Sequence, residues 1–281
     1  MPFASAADGT QLHFTDWGDP GARPVLLAHG FGSGQAMWNG QIAGLMEAGL
    51  RCITFDRRGH GRSDVAGHGY DLDTLAGDIA AVAGRLELAD AVLVGHSLGA
   101  AEAIRYLAAH GDDRVAGLVL SAPSAPALRR GPGNPGGIDP EAFRRARQAM
   151  RDDAGAAVQA FNAEDFLGPG HAVSALLTDA TRRQLVDLPL PVLLATFDTN
   201  AAADLRADLA GIDVPTLVIQ GDADKNNPLE LTGRRVAELI PGATLVVLDG
   251  AGHGLYRSEA RRYTSEIVRF ARTLKAPVPS R

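Results

Sequence analysis

Six short apolar runs, at residues 25–29, 51–56, 91–95, 115–121, 216–221 and 244–249, mostly close on Gly, Asp or Ser. Longer stretches with helical periodicity lie between or after them, at 35–48, 72–86, 98–110, 228–240 and 258–274. Runs that are apolar at every position, rather than at alternate ones, fit strands buried on both faces. The pattern therefore predicts an α/β protein with a mostly parallel central sheet flanked by helices. Residues 11–17 alternate polar and apolar side chains, as an antiparallel edge strand does. The regular alternation breaks after Ser121, where a Pro- and Gly-rich stretch, 123–140, leads into Ala-rich helical sequence before strands resume near Thr216. Residues 1–125 and 211–281 are thus expected to form the core, and 126–210 an inserted helical cap.

A chain of 281 residues, 46% hydrophobic and 21% charged, can bury one full core. Its net charge is -6 and its 27 basic residues are scattered, so no nucleic-acid partner is expected. The first residues carry neither a basic leader nor an apolar segment, and no run reaches the roughly 18 consecutive apolar residues of a membrane span. No membrane association is expected, and the location read from these features is cytoplasmic. Cys52 is the single cysteine. It makes no intrachain disulfide and, within Cys52-Ile53-Thr54-Phe55, reads as a small hydrophobe rather than a nucleophile.

The strongest chemical signal is Gly95-His96-Ser97-Leu98-Gly99, placed directly after the 91–95 run and directly before a helical stretch. In a chain with 33 glycines the five-residue pattern alone means little; its placement is what carries weight. A serine on a sharp strand-to-helix turn is held in a cramped backbone conformation above the sheet, with small residues required on either side. A hydroxyl is a weak nucleophile at neutral pH. It needs a base within reach, and a third group fixing the tautomer of that base.

Among the histidines downstream of Ser97, His110 falls near a helix end and His171 in the expected cap. Only His253 follows the last strand, in the small-residue loop Asp249-Gly250-Ala251-Gly252-His253-Gly254. It is the expected general base. For the acid, the 216–221 run ends in two carboxylates, Asp222 and Asp224. Asp222 follows Gly221 at once and reads as a turn aspartate bonding its own backbone, so Asp224 is favoured, with Asp198 a distant third. The developing oxyanion would be held by backbone amides: Leu98 after the serine, and Phe31 in the loop His29-Gly30-Phe31-Gly32-Ser33-Gly34. His29 reads as a structural residue holding that loop.

Taken together, His29-Gly30-Phe31-Gly32, Asp56-Arg57-Arg58-Gly59-His60-Gly61-Arg62-Ser63-Asp64, Gly95-His96-Ser97-Leu98-Gly99, Gly221-Asp222-Ala223-Asp224 with Pro228, and Gly252-His253 resemble the α/β-hydrolase superfamily over nearly the whole chain. Within it the chain looks most similar to bacterial esterases, cofactor-free haloperoxidases and perhydrolases. The resemblance implies the α/β-hydrolase fold with a cap, and an acid a short, fixed distance before a proline, as Asp224 stands before Pro228. It also implies that 56–64 is a structural loop beside the site; read by itself, that charged turn is expected to be solvated. The elbow continues as Ala100-Ala101 where many relatives have another glycine. Epoxide hydrolases and haloalkane dehalogenases of this fold attack with aspartate, so serine at 97 implies acyl chemistry.

The expected activity is cleavage of a small-molecule carboxylic ester or lactone through an acyl-enzyme, with no metal and no organic cofactor. Perhydrolysis or carbon-carbon bond hydrolysis on the same three residues remains open, as does a non-catalytic ligand-binding homologue. Of the cap's apolar residues Phe143, Met150, Phe161, Phe166, Leu176, Leu177 and Phe197, most are expected to form its own small core. Trp38 and Phe31 are the better candidates for the substrate pocket.

Overall fold

The computed structural model describes residues 2–160 and 162–275; Phe161 of the expected cap lies outside the described residues. Eight strands form one sheet: β1 (Phe3–Ser5), β2 (Gln11–Trp17), β3 (Pro24–Ala28), β4 (Arg51–Phe55), β5 (Ala91–His96), β6 (Val115–Ser121), β7 (Thr216–Gly221) and β8 (Thr244–Leu248). Their order is β1-β2-β4-β3-β5-β6-β7-β8, antiparallel at β1–β2 and β2–β4 and parallel from β4 onward. The antiparallel edge expected at 11–17 is β2, and the three-residue β1 pairs outside it.

The continuous apolar runs are explained by which way successive side chains point. Val25 and Leu27 of β3, with Val92 and Val94 of β5, enter one core layer; Leu26, Ala28 and Leu93 enter the other. The first layer is completed by α1 (Asn39–Glu47) and by α12 (Ala260–Thr273), through Leu45, Tyr263 and Ile267. The second is completed by α2 (Leu72–Arg85) and α3 (Leu98–His110), through Ile79, Val82 and Ile104. The helix expected at 35–48 opens with a 3-10 turn, Gln35–Trp38.

Between β6 and β7 lie α4 (Pro140–Asp152), α5 (Ala154–Gln159), α6 (Ala163–Leu167), α7 (Ala175–Val186), α8 (Leu190–Ala202) and α9 (Arg206–Leu209). Side-chain caps start three of them: Asp139, Asp153 and Asn162 each accept a first-turn backbone N–H of α4, α5 or α6. Near α9, Leu205 and Leu209 are buried in the core layer that contains α3. The stretch expected as one helix at 228–240 is helical only over α10 (Gly233–Leu239). There Gly233 lies so close to β7 that a Cβ would stand 2.5 Å from the Gln220 side chain. The stretch expected at 258–274 is divided into α11 (Leu255–Ser258) and α12. No helix among the described residues is long and apolar enough to cross a membrane.

Candidate active site

β5 runs into Ser97, which stands at φ 55° and ψ -116° before α3 begins. A positive φ is costly for a residue with a Cβ, so the surrounding chain must enforce it. It does so by close packing. A Cβ on Gly95 would lie 2.3 Å from the carbonyl oxygen of Gly99, and one on Gly99 would lie 2.3 Å from that of Ala28. Only glycine fits at either position. The Ser97 N–H donates to Ser121 O at 2.9 Å, and Ser97 Oγ shares a 3.3 Å hydrogen bond with Ser124 Oγ.

Asp224 sits three residues beyond β7. Its Oδ1 accepts the backbone N–H groups of Asn226 and Asn227, each at 2.9 Å, and its Oδ2 accepts from Gln220 Nε2 at 3.1 Å and from His253 Nδ1 at 2.8 Å. A carboxylate can only accept, so Nδ1 of His253 is the donor toward Oδ2, and in that neutral tautomer Nε2 keeps a lone pair. His96 lies against this ring, 4.8 Å between centroids, and its own pKa is held well below the usual value by burial and by His253.

The loop that carries His253 is fastened from two sides. Asp222 Oδ1 accepts the Gly250 N–H at 2.7 Å, which corrects the reading of Asp222 as a turn residue bonding its own backbone. From the inserted helices, Leu167 O and Phe166 O accept the N–H groups of Gly252 and Gly254, at 2.9 and 2.6 Å. Asp198, the remaining acid considered, pairs instead with Arg147 on the exposed surface.

A cavity of 530 Å³ joins these elements. Ser97 and His253 line it with Gly30, Phe31, Asn226 and Asn227, and the inserted segment supplies most of its apolar wall. Phe143, Met150, Phe166 and Phe197 all face it, as do four alanines, 146, 149, 157 and 160. Leu176 is 79% and Leu177 48% exposed, and neither lines this cavity. Phe31 contributes its ring, 5.9 Å from that of Phe197. Trp38, expected beside it, does not line the cavity. It is fully buried and stacked on Tyr263 in the core layer under α12, because the 3-10 turn aims it inward. A larger, more open groove of 830 Å³ between α1 and α12 is lined, among the described residues, by no histidine or cysteine.

Leu98 is the first residue of α3, so its N–H has no intrahelical acceptor. The Phe31 amide is oriented from behind. Arg57 donates to His29 O at 2.6 Å and to Gly30 O at 3.2 Å. In a trans peptide the N–H points opposite to the C=O, so the Phe31 N–H is turned away from Arg57. His29 is buried and accepts the Arg57 N–H on Nε2 at 3.0 Å, with Nδ1 2.9 Å from Gly30 O. This matches a loop-holding residue.

The 56–64 turn departs from expectation: Asp56, Arg57, Arg58 and His60 are buried rather than solvated. Arg57 pairs with Glu102 of α3, and Arg58 with Asp78 of α2 at 2.6 and 2.7 Å and with Asp8 at 2.8 Å. Cys52 is buried between sheet and helix, where desolvation pushes its thiol up to about 12. Ser124, Asn227 and Gln220 escaped the sequence reading. Gln220 at least stood within the 216–221 run, whereas nothing in Ala122-Pro123-Ser124-Ala125 signals a polar contact to Ser97.

A family model described as the alpha/beta hydrolase fold matches residues 23–260. The chain is 35% identical to a non-heme haloperoxidase of Rhodococcus erythropolis, over 96% of this chain and 99% of that protein. It is 30% identical to a bifunctional esterase/perhydrolase of Acinetobacter calcoaceticus, over 97% and 100%. An esterase structure from Exiguobacterium antarcticum superposes with a TM-score of 0.91 at 30% identity, covering 96% of this chain and 98% of that one. With the sheet order, the elbow and these matches in place, the chain belongs to the α/β-hydrolase superfamily, in its group of esterases and non-heme haloperoxidases, and is an enzyme of that fold.

Proposed function

We propose that the protein is a serine hydrolase that cleaves a neutral, largely apolar carboxylic ester or lactone through an acyl-enzyme. Ser97 attacks the carbonyl carbon while its proton passes to His253 Nε2, and Asp224 keeps the ring oriented and stabilises the imidazolium. The amides of Phe31 and Leu98 face the developing oxyanion. The alcohol leaves with the proton from His253, and water, activated by the same ring, releases the acid. Residues 126–210 act as the cap that supplies the apolar wall, with 1–125 and 211–281 as the core.

The observation that carries this reading is the 2.8 Å Asp224–His253 bond, on the rim of a cavity shared with an elbow serine. The substrate class follows from the lining. Among the described residues, no Asp, Glu, Lys or Arg lines the cavity, so a charged acyl group would be desolvated without a partner. Hydrolysis of short and medium p-nitrophenyl esters by the wild-type protein beside Ser97→Ala tests it. Activity that is present and vanishes in the variant supports the mechanism. Two inactive proteins on every ester would reject it.

A second reading, perhydrolysis, is supported by the similarity to a bifunctional esterase/perhydrolase. Hydrogen peroxide would replace water on the acyl-enzyme and release a peroxyacid. Peroxyacid formation from an ester and peroxide, absent in Ser97→Ala, separates it from plain hydrolysis.

A further inference from the structure

The hydroxyl closest to Ser97 has so far been given no part in the chemistry. Ser124 is fully buried in the chain that follows β6 and is tied to the elbow twice: its N–H donates to Ser97 O at 3.2 Å, and its Oγ lies 3.3 Å from Ser97 Oγ. The approach is enforced. Ala122, just past β6, stands at φ 42°, a left-handed conformation that is costly for alanine. Asn227, itself buried, holds this bend by donating from Nδ2 to Ala122 O at 2.8 Å.

That bond also fixes which proton goes where. A carbonyl can only accept, so the Asn227 atom facing Ala122 O must be the amide nitrogen. Its second hydrogen is directed to Ser124 Oγ at 3.2 Å. Ser124 Oγ is therefore an acceptor toward Asn227. Its own proton has Ser97 Oγ as the acceptor within hydrogen-bond distance among the described residues.

We propose that Ser124, aligned by Asn227, is a catalytic hydroxyl that donates a hydrogen bond to Ser97 Oγ. With Ser97 read as the nucleophile, as above, the bond acts when the Ser97 proton moves to His253 Nε2 and the Oγ–carbon bond has not fully formed. Negative charge on Oγ is then at its largest, and a preoriented donor in a buried site stabilises it. The same donor assists the reverse partition, when Oγ departs from the acyl carbon during deacylation. Asn227 links the two halves of the site. Its N–H binds Asp224 Oδ1 and its side chain binds Ser124, so the carboxylate and the second hydroxyl are set by one residue.

The test reads Ser97 alone, without a natural substrate. A neutral p-nitrophenyl alkylphosphonate forms a phosphorus–oxygen bond to Ser97 Oγ as p-nitrophenolate leaves and the serine proton passes to His253. Labelling is followed by nitrophenolate release and by mass spectrometry of the peptide containing Ser97. Ser124→Ala should label about tenfold more slowly, the worth of one hydrogen bond to a charged transition state, with an unchanged melting temperature. Ser124→Thr, which keeps the hydroxyl, should return the rate to near wild type. Equal rates for wild type and Ser124→Ala, or equal slowing in the alanine and threonine variants, would overturn the proposal while leaving Ser97 as the nucleophile. A wild-type protein that is not labelled at Ser97 would remove both readings.

Discussion

Two clusters of buried polar residues lie at the carboxyl end of the sheet, and they differ in one respect. Around Arg57 and Arg58 the hydrogen-bonding capacity is largely spent: Glu102, Asp78 and Asp8 pair the guanidinium groups, and His29 uses both ring nitrogens. Around His253 the carboxylate is saturated, but one ring nitrogen and the Ser97 hydroxyl open on a cavity. Strong pKa displacement is found in both clusters, at His96 beside the cavity as well as around Arg57, and does not single one out. Burial holds His60 down to about 3 and raises Glu102 to about 7, yet neither lines the cavity. Unspent capacity facing a cavity is the better mark of chemistry. A buried cluster whose charges pair with one another, away from the cavity, marks a scaffold.

The sharpest division between orienting and fastening carboxylates falls within two residues of each other. Asp224→Asn should lower ester turnover about 10⁴-fold, because an amide no longer enforces the Nδ1–H tautomer of His253. Asp222→Asn weakens a single bond, to the Gly250 N–H, and should cost no more than about tenfold. Steady-state kinetics on both variants decides it. Comparable losses would mean that Asp222 orients the histidine as much as Asp224 does.

For the Arg57 cluster the expected effect is on folding. Arg57→Met leaves Glu102 buried without its partner and should reduce unfolding free energy by about 3–5 kcal/mol in urea titration. Turnover should fall less than for Asp224→Asn, through a loosened Phe31 loop. If stability stays at the wild-type level and turnover collapses, the scaffold is itself part of the active site and the comparison breaks.

The same difference explains what the amino-acid sequence reveals. Ser97, Asp224 and His253 are legible because each follows a strong apolar run and the chemistry constrains their order. The strands are legible because both of their faces are apolar. The burial of the 56–64 turn is not, since a charged turn looks alike whether solvated or paired. Here the partners are Asp78 and Glu102, 20 and 45 residues away on α2 and α3. Trp38 is misread for a similar reason: nearness to the Phe31 loop in sequence does not show that the 3-10 turn aims its ring inward, against Tyr263. Ser124 and Asn227 meet only because β6 and β7 are neighbours in the sheet, a pairing that no local pattern encodes.

The smallest expected effect concerns pH, and groups within the Arg57 cluster contribute to it with opposite signs. His29 and His60 are kept neutral by burial beside Arg57, with folded pKa values below the ordinary 6.5. Below pH 6.5 the unfolded chain therefore takes up protons that the folded chain refuses. Their contribution is complete above 6.5 and is lost on acidification, down to about pH 3 for His60. Glu102 works the other way. Its folded value of about 7 exceeds the ordinary 4.5, so its share of stability increases as pH falls between these limits. Each proton bound in one state and not the other changes stability by about 1.4 kcal/mol per pH unit, and below pH 6.5 His29 and His60 act in the destabilising direction. His60→Gln can still donate toward Arg58 O, where His60 Nδ1 now lies at 2.9 Å, but cannot titrate. Urea midpoints at pH 7, 5.5 and 4 should show its acid slope shallower by one proton. An unchanged slope would mean that His60 is not held neutral by its burial beside Arg57.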